Sequence, residues 1–301
     1  MLVREFFESI YRIKQLRSKS PNTVRLYRYT VRNFEKTVGF SATLDDFTDD
    51  NVAMVMQSML DRGCSPYTAN KERSQLLALW RYACKLGLLT RWPTVAPERE
   101  PERVPQAWMA DDVHTLLAHV ETLTGSVGNV PASYWWRAIL LVCLDTGERI
   151  GAVSQAEWGN LDREWLLVPA EVRKGRKRDR RYLLSDDTLA AIDAMRRFSL
   201  GKQMFFWPYS STYLWTRFTK ILKNAGLPHG PKDKFHRLRK TVASVTYAAG
   251  MDAQDILDHE NKRTTQRYLD PRFTRENQAS AALASWLRNP RKPPQFDEKT
   301  G

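Results

Sequence analysis

The stretch RWPTVAPEREPERVPQAW, residues 91–108, constrains the fold more than any other part of the chain. Pro93, Pro97, Pro101 and Pro105 recur among charges with no apolar period. Each proline lacks a backbone donor and turns the residue before it away from helix. Such a run neither continues a helix nor enters a central strand. It divides the 301 residues into a first domain at 1–92, a linker at 93–107 and a second domain at 108–301. Hydrophobic residues make up 42% of the chain, with ten Trp, so both parts have material for a core.

The first part reads as helices. SPNTVRLYRYTVRNFEKTVG places Ser20 as an N-cap and Pro21 at the first helical position. Val24, Tyr27, Val31 and Phe34 form an apolar stripe, and Arg25, Arg28 and Arg32 repeat its spacing one position on, about 100° round the helix. SPYTANKERSQLLALWRYACKLG repeats the logic, with Ser65 and Pro66 at its start and Gly87 at its stop. Lys71 and Arg73 lie in its polar half, and Leu76, Trp80 and Ala83 in its apolar half. Two more helices are expected near 3–16 and 49–62.

The formal net charge is +13, which points to a polyanionic partner, most often nucleic acid. No run approaches about 18 consecutive apolar residues, so no membrane span is expected. Cys64, Cys84 and Cys143 are far apart and fit neither a disulfide framework nor a CxxC site, which suits a reducing cytoplasm. His114 and His119 lack the spacing of a zinc motif, and no metal site is expected.

In the second part, helical patterns occupy about 109–123, 131–146, 186–198, 211–225 and 236–249. REWLLVPA reads as a strand and RRYLLS as its return, so the chain is mainly α with a small β-sheet. Between the strands lies a basic tip centred on Gly175, where seven of the nine residues from Arg173 to Arg181 are Lys or Arg. At that density a free surface loop repels itself, which predicts an anion against it. Lys174, Arg176, Lys177 and Arg178 belong to this tip. DTGERIG carries Arg149. FHRLRKTVAS carries His236 and Arg239, three apart and on one helical face, with Lys240 beside them. LDHENKRTTQRYLD carries His259 and Tyr268.

Taken together, these four segments resemble the phage integrase family of tyrosine recombinases. DTGERIGAVSQAEWGNLD resembles the family's T-G-x-R box, HRLRKTVAS its H-x-L-R-x-T-x-A-S box, and LDHENKRTTQRYLD its L-G-H-x-x-x-x-T-T-x-x-Y box. The basic tip resembles the family's lysine hairpin. The resemblance runs from about residue 3 to 290. It implies a simple Xer/Cre-like architecture without an arm-binding domain: an N-terminal helical core-binding, SAM-like domain plus an α/β catalytic domain. Two positions depart from the pattern. Ala152 replaces an acidic residue that normally supports the arginine, and Asp258 replaces the glycine before the second histidine.

The chemistry that the resemblance implies is phosphoryl transfer on DNA. A phosphodiester is a poor electrophile because its oxygens carry negative charge, so cations must meet the charge that grows in the transition state. Arg149 and Arg239 suit this role, since guanidinium forks match phosphate geometry. Tyr268 is implied as the nucleophile; a phenol with a pKa of about 10 needs nearby cations or a base. His236 and His259 would manage its proton or bond the phosphate. Lys174, or alternatively Lys177, would protonate the leaving 5′ oxygen. The product is a 3′-phosphotyrosyl link, which keeps the bond energy and requires no ATP, metal or other cofactor.

The implied partners are double-stranded DNA and three further copies of the chain, as a homotetramer on two DNA sites. The two domains would clamp the duplex, with Arg25, Arg28, Arg32, Lys71, Arg73, Arg176, Lys177, Arg178 and Lys240 as DNA contacts. Ala279, Ala282, Leu283, Trp286 and Leu287 have helical spacing and suit a C-terminal tail helix that docks on a neighbour. The expected role is mobile-element integration and excision. Dimer resolution by the same chemistry, a type IB-like topoisomerase and an inactive DNA-binding regulator are the alternatives.

Overall fold

A computed structural model of the chain describes residues 1–175, 178–274 and 288. The described chain falls into two compact units, 1–102 and 103–301. Among the described residues no helix is long and apolar enough to cross a membrane.

The first unit is helical. A helical segment α1 covers residues 3–15, with a π-helical stretch at Phe7–Tyr11. It is followed by α2 at Pro21–Val38, α3 at Asp49–Asp61 and α4 at Pro66–Lys85. The Ser20 and Ser65 hydroxyls accept from the backbone N–H of Thr23 and Thr68, as the N-cap reading requires. Val31 and Phe34 of the apolar stripe are buried, while Val24 and Tyr27 pack at the core's margin. Phe47 stacks on Trp80 at 6.0 Å between ring centres.

The proline-rich stretch has neither helix nor strand, but it is not loose. Its first half is bonded along the first unit. Trp80 Nε1 donates to the Arg91 carbonyl at 2.6 Å, Arg73 Nε to Val95 O at 2.8 Å, and Asn70 exchanges two 2.8 Å bonds with the Glu98 backbone. The other end belongs to the second unit, where the Trp108 N–H donates to Thr241 Oγ1 at 2.8 Å.

The second unit is built round α6, Ala132–Thr146, which follows α5 at Ala110–Glu121 and a two-stranded pair, β1 Ser126–Val127 with β2 Val130–Pro131. α6 is apolar on most sides and almost wholly buried, as a central core helix must be. Gly147 ends it with φ 60°. A Cβ there would lie 3.0 Å from Val242 Cγ1, so the glycine is required by conformation and by space. α7, Ile150–Val153, leads into an antiparallel sheet of order β3–β4–β5, comprising Leu161–Asp162, Trp165–Val168 and Arg180–Leu183. Leu166 and Val168 face the core, and Tyr182 pairs with Leu166 in register.

The helices α8 Asp186–Arg196, α9 Ser211–Asn224, α10 Phe235–Ala248, α11 Ala253–Ile256 and α12 Lys262–Gln266 complete the described part. Trp136 of α6 stacks on Phe218 of α9 and Phe235 of α10, and the last two lie 4.3 Å apart. This stack fixes the first turn of α10, where the histidine and arginine of the second box sit.

Candidate active site

The second unit brings Arg149, His236, Arg239, His259 and Tyr268 into one cluster. Tyr268 lies in the turn after α12, its N–H bonded to Thr265 O at 2.8 Å. Its ring centre is 5.0 Å from that of His236 and 4.8 Å from that of His259. The Arg239 guanidinium carbon lies 5.7 Å from the same ring centre. Ser244 and Thr241, the serine and threonine of the α10 box, hold the frame. Ser244 Oγ accepts from the Asp270 N–H at 2.9 Å just beyond the tyrosine, and Thr241 anchors Trp108.

Arg239 is buried, and its bonds explain the T-G turn. One Nη donates to Gly147 O at 2.5 Å and the other to Leu257 O at 2.7 Å. Its Nε has no hydrogen-bond partner among the described residues. The second Nη also lies 3.3 Å from His259 Nε2. Because a guanidinium only donates, that ring nitrogen accepts. The proton then sits on Nδ1, 3.1 Å from Thr265 Oγ1. Burial, then Arg239 and Arg149, push the His259 pKa down to about 4. His236 keeps an edge open to solvent, yet it is also pushed down to about 4, by desolvation in the site and then by Lys240, Arg239, Arg149 and Lys174. Both rings are therefore neutral near pH 7.

Arg149 caps the start of α7 and is half-buried; its guanidinium makes no hydrogen bond among the described residues. Lys174 is exposed, close enough to act on His236 electrostatically. Arg176 and Lys177 lie outside the described residues, as do the tail positions 279–287.

Part of the counter-charge of the basic tip is internal. Arg173 is buried and pairs with Glu148 at 2.6 Å and Asp258 at 2.9 Å. Arg178 pairs with Asp258 at 2.5 Å, and Arg180 with Asp255 at 3.1 Å. The Glu148 carboxylate also accepts from Tyr182 Oη at 2.8 Å and from the Arg149 N–H at 3.1 Å. Its burial favours the neutral acid, but Tyr182 and Arg173 outweigh that and hold it below the usual carboxylate range. Glu148, Arg173 and Thr265 were not among the candidate site residues read from sequence, and Asp258 stood there only as a departure from the family pattern. A lone acid inside a cationic box was the signal available for Glu148.

Asp258 occupies a left-handed position, φ 53°. Its N–H bonds Asp255 O at 2.8 Å and that of His259 bonds Gln254 O at 3.0 Å, the paired closure that ends a helix through one left-handed residue. That closure presents His259, and it explains why the family pattern has glycine here.

Of the other predicted DNA contacts, Arg25 bonds Asn22 at 2.7 Å, Arg28 pairs with Glu8 at 2.5 Å and Arg73 holds Val95. Arg32 and Lys71 are exposed, with no hydrogen bond or ion pair among the described residues. Lys240 is half-buried, and burial followed by Lys232 and Arg237 lowers its pKa.

Comparison with known proteins places this geometry in a family. Residues 108–275 match the phage integrase family, and the chain belongs to it. It is 24% identical to the tyrosine recombinase XerA of Thermococcus kodakarensis over 282 residues, covering 88% of this chain and 90% of that one. It is also 24% identical to the integrase of Enterobacteria phage 434, over 77% of this chain and 65% of that one. Among solved structures, a lambda integrase dimer bound to a COC' core site superposes with TM-score 0.71 at 21% identity, covering 92% of this chain and 98% of that one. A Tn1549 transposon integrase in complex with circular intermediate DNA gives 0.73 at 14% identity, covering 96% and 99%.

Proposed function

We propose that the chain is a site-specific recombinase that breaks and rejoins duplex DNA through Tyr268. The observation that carries this is the placement of the Tyr268 ring about equally far from His236 and His259, with Arg239 beside it. Arg149 and Arg239 bind the nonbridging oxygens of the scissile phosphate. The Tyr268 oxygen attacks phosphorus and gives its proton to His236, which has no hydrogen bond among the described residues. The His236 pKa is low without DNA; a bound phosphate offsets the surrounding cations and raises it. Lys174 donates a proton to the departing 5′ oxygen. His259 acts from behind, by fixing Arg239.

The first unit contributes backbone contacts through Arg32 and Lys71, and the working assembly is a homotetramer on two sites. Mobile-element integration and excision is the biological role we favour. Dimer resolution by the same chemistry is the second reading. Plasmid assays that score insertion against deletion separate the two.

The chemistry is tested with nicked duplexes of random sequence. Covalent adducts are selected, the bound DNA is sequenced and the linked peptide mapped. The expected adduct is on Tyr268, and Tyr268→Phe is expected to bind the selected site without forming one. An adduct on a different tyrosine overturns the assignment.

A further inference from the structure

Lys174 sits on a tip whose two ends are gripped by one carboxylate. Arg173, the residue before it, donates from Nη1 to Asp258 Oδ2 at 2.9 Å and to the Arg178 carbonyl at 2.9 Å. Arg178, on the far side of the tip, donates from Nε to Asp258 Oδ1 at 2.8 Å. Arg173 and Arg178, on either side of Lys174 in sequence, are thus both staked to the turn that presents His259. The Arg173 Nε then reaches the other way, to Glu148 at 2.6 Å, and Glu148 accepts from the N–H of Arg149. Its second oxygen lies 3.9 Å from an Nη of Arg239. One buried guanidinium therefore joins the tip to the turns that carry Arg149 and His259.

Stability alone does not account for this. A buried ion pair contributes little beyond what well-packed apolar residues of the same volume would give. Its bonds have direction, however, and a general acid must lie within hydrogen-bond reach of the oxygen it protonates. A tip of such charge density would otherwise spread by self-repulsion. Asp258 also bears a left-handed backbone that glycine adopts more readily, so its side chain has a use that offsets the strain.

Resting on the reading of Lys174 given above, we infer that Asp258, Arg173 and Glu148 are positioning residues for the general acid. They hold the Lys174 tip against the arginine turn and the histidine turn.

The test uses the full chain and its selected site, with the scissile 5′ oxygen kept or replaced by sulfur. A thiol ionises with a pKa of about 8.5 and leaves without a proton donor, whereas an alkoxide needs one. Asp258→Gly suits the left-handed turn and removes the carboxylate. Asp258→Asn keeps a side chain tolerant of that turn and removes the charge. Both are expected to slow cleavage of the oxygen substrate by about 10- to 100-fold, the scale of a misplaced catalytic group, and to cleave the sulfur substrate at the wild-type rate. Lys174→Ala is the control and is expected to show the same selective rescue. If Lys174→Ala is rescued while the Asp258 variants match wild type on both substrates, or are slowed equally on both, the positioning role is wrong. If Lys174→Ala is not rescued, Lys174 is not the acid, and the inference falls with that reading.

Discussion

Arg239 donates toward His259 across 3.3 Å, and this bond exists only while His259 Nε2 is unprotonated. A buried guanidinium thus sets the charge state of its neighbour. The same pressure acts on His236, and both rings have pKa values near 4. The unfolded chain takes up these protons at about 6.5. Between those values the unfolded state holds more protons, so stability rises with pH there. The contribution is complete above about 6.5 and is lost as pH falls toward about 4. Urea midpoints measured from pH 7 to 5 are expected to fall, and the slope is expected to flatten in a His236→Gln, His259→Gln double variant. An unchanged slope in that variant would show that the histidines are not desolvated.

Glu148 gives a second prediction, about folding. Glu148→Ala leaves the Arg173 guanidinium buried with Asp258 as its one ionic partner among the described residues. Removing one partner of a buried pair costs about 3–5 kcal/mol. Thermal melting is expected to show a loss of that size, and Glu148→Ala combined with Arg173→Met is expected to recover part of it. A double variant less stable than Glu148→Ala alone contradicts the pairing.

The cationic stripe of α2 separates into unequal members. Arg28 is spent on Glu8, whereas Arg32 has no partner among the described residues. Arg32→Ala is expected to lower the salt slope of DNA binding by about 1, with a smaller change for Arg28→Ala. Glu8→Gln is expected to strengthen binding by releasing Arg28. Equal slopes for wild type and Arg32→Ala would remove that side chain from the interface.

Gly147→Ala is a fourth case. The added methyl meets Val242 at 3.0 Å in a left-handed turn, and the Gly147 carbonyl holds Arg239. Residues forced into sparsely populated backbone regions cost about 1–3 kcal/mol. The melting temperature and the cleavage rate are expected to fall together. Loss of melting temperature with full cleavage would show that Arg239 does not depend on this turn.

Much of this was legible in the chain before any coordinates. Ser20–Pro21 and Ser65–Pro66 mark their helices because capping is local. The shared helical face of His236 and Arg239 is local, whereas their grouping with His259 and Tyr268 was implied by the resemblance of the boxes to the phage integrase family. The partners of the basic tip were not legible. Arg173 reaches Glu148 across 25 positions and Asp258 across 85, and no local pattern encodes such pairings. The short helices α7, α11 and α12 span at most five residues, too few to show a period. The bonds along residues 91–100 were hidden too, since proline spacing predicts the absence of helix but not what the extended backbone rests on.

The attachments around Asp270 have a mechanical consequence. Its N–H is bonded to Ser244 of α10, its carboxylate accepts from the Ala107 N–H at 2.7 Å, and Arg272 bridges Asp270 to the Ala107 carbonyl. In the covalent state proposed above, tension on a DNA strand linked to Tyr268 is taken up two residues later by bonds in parallel on α10 and residue 107.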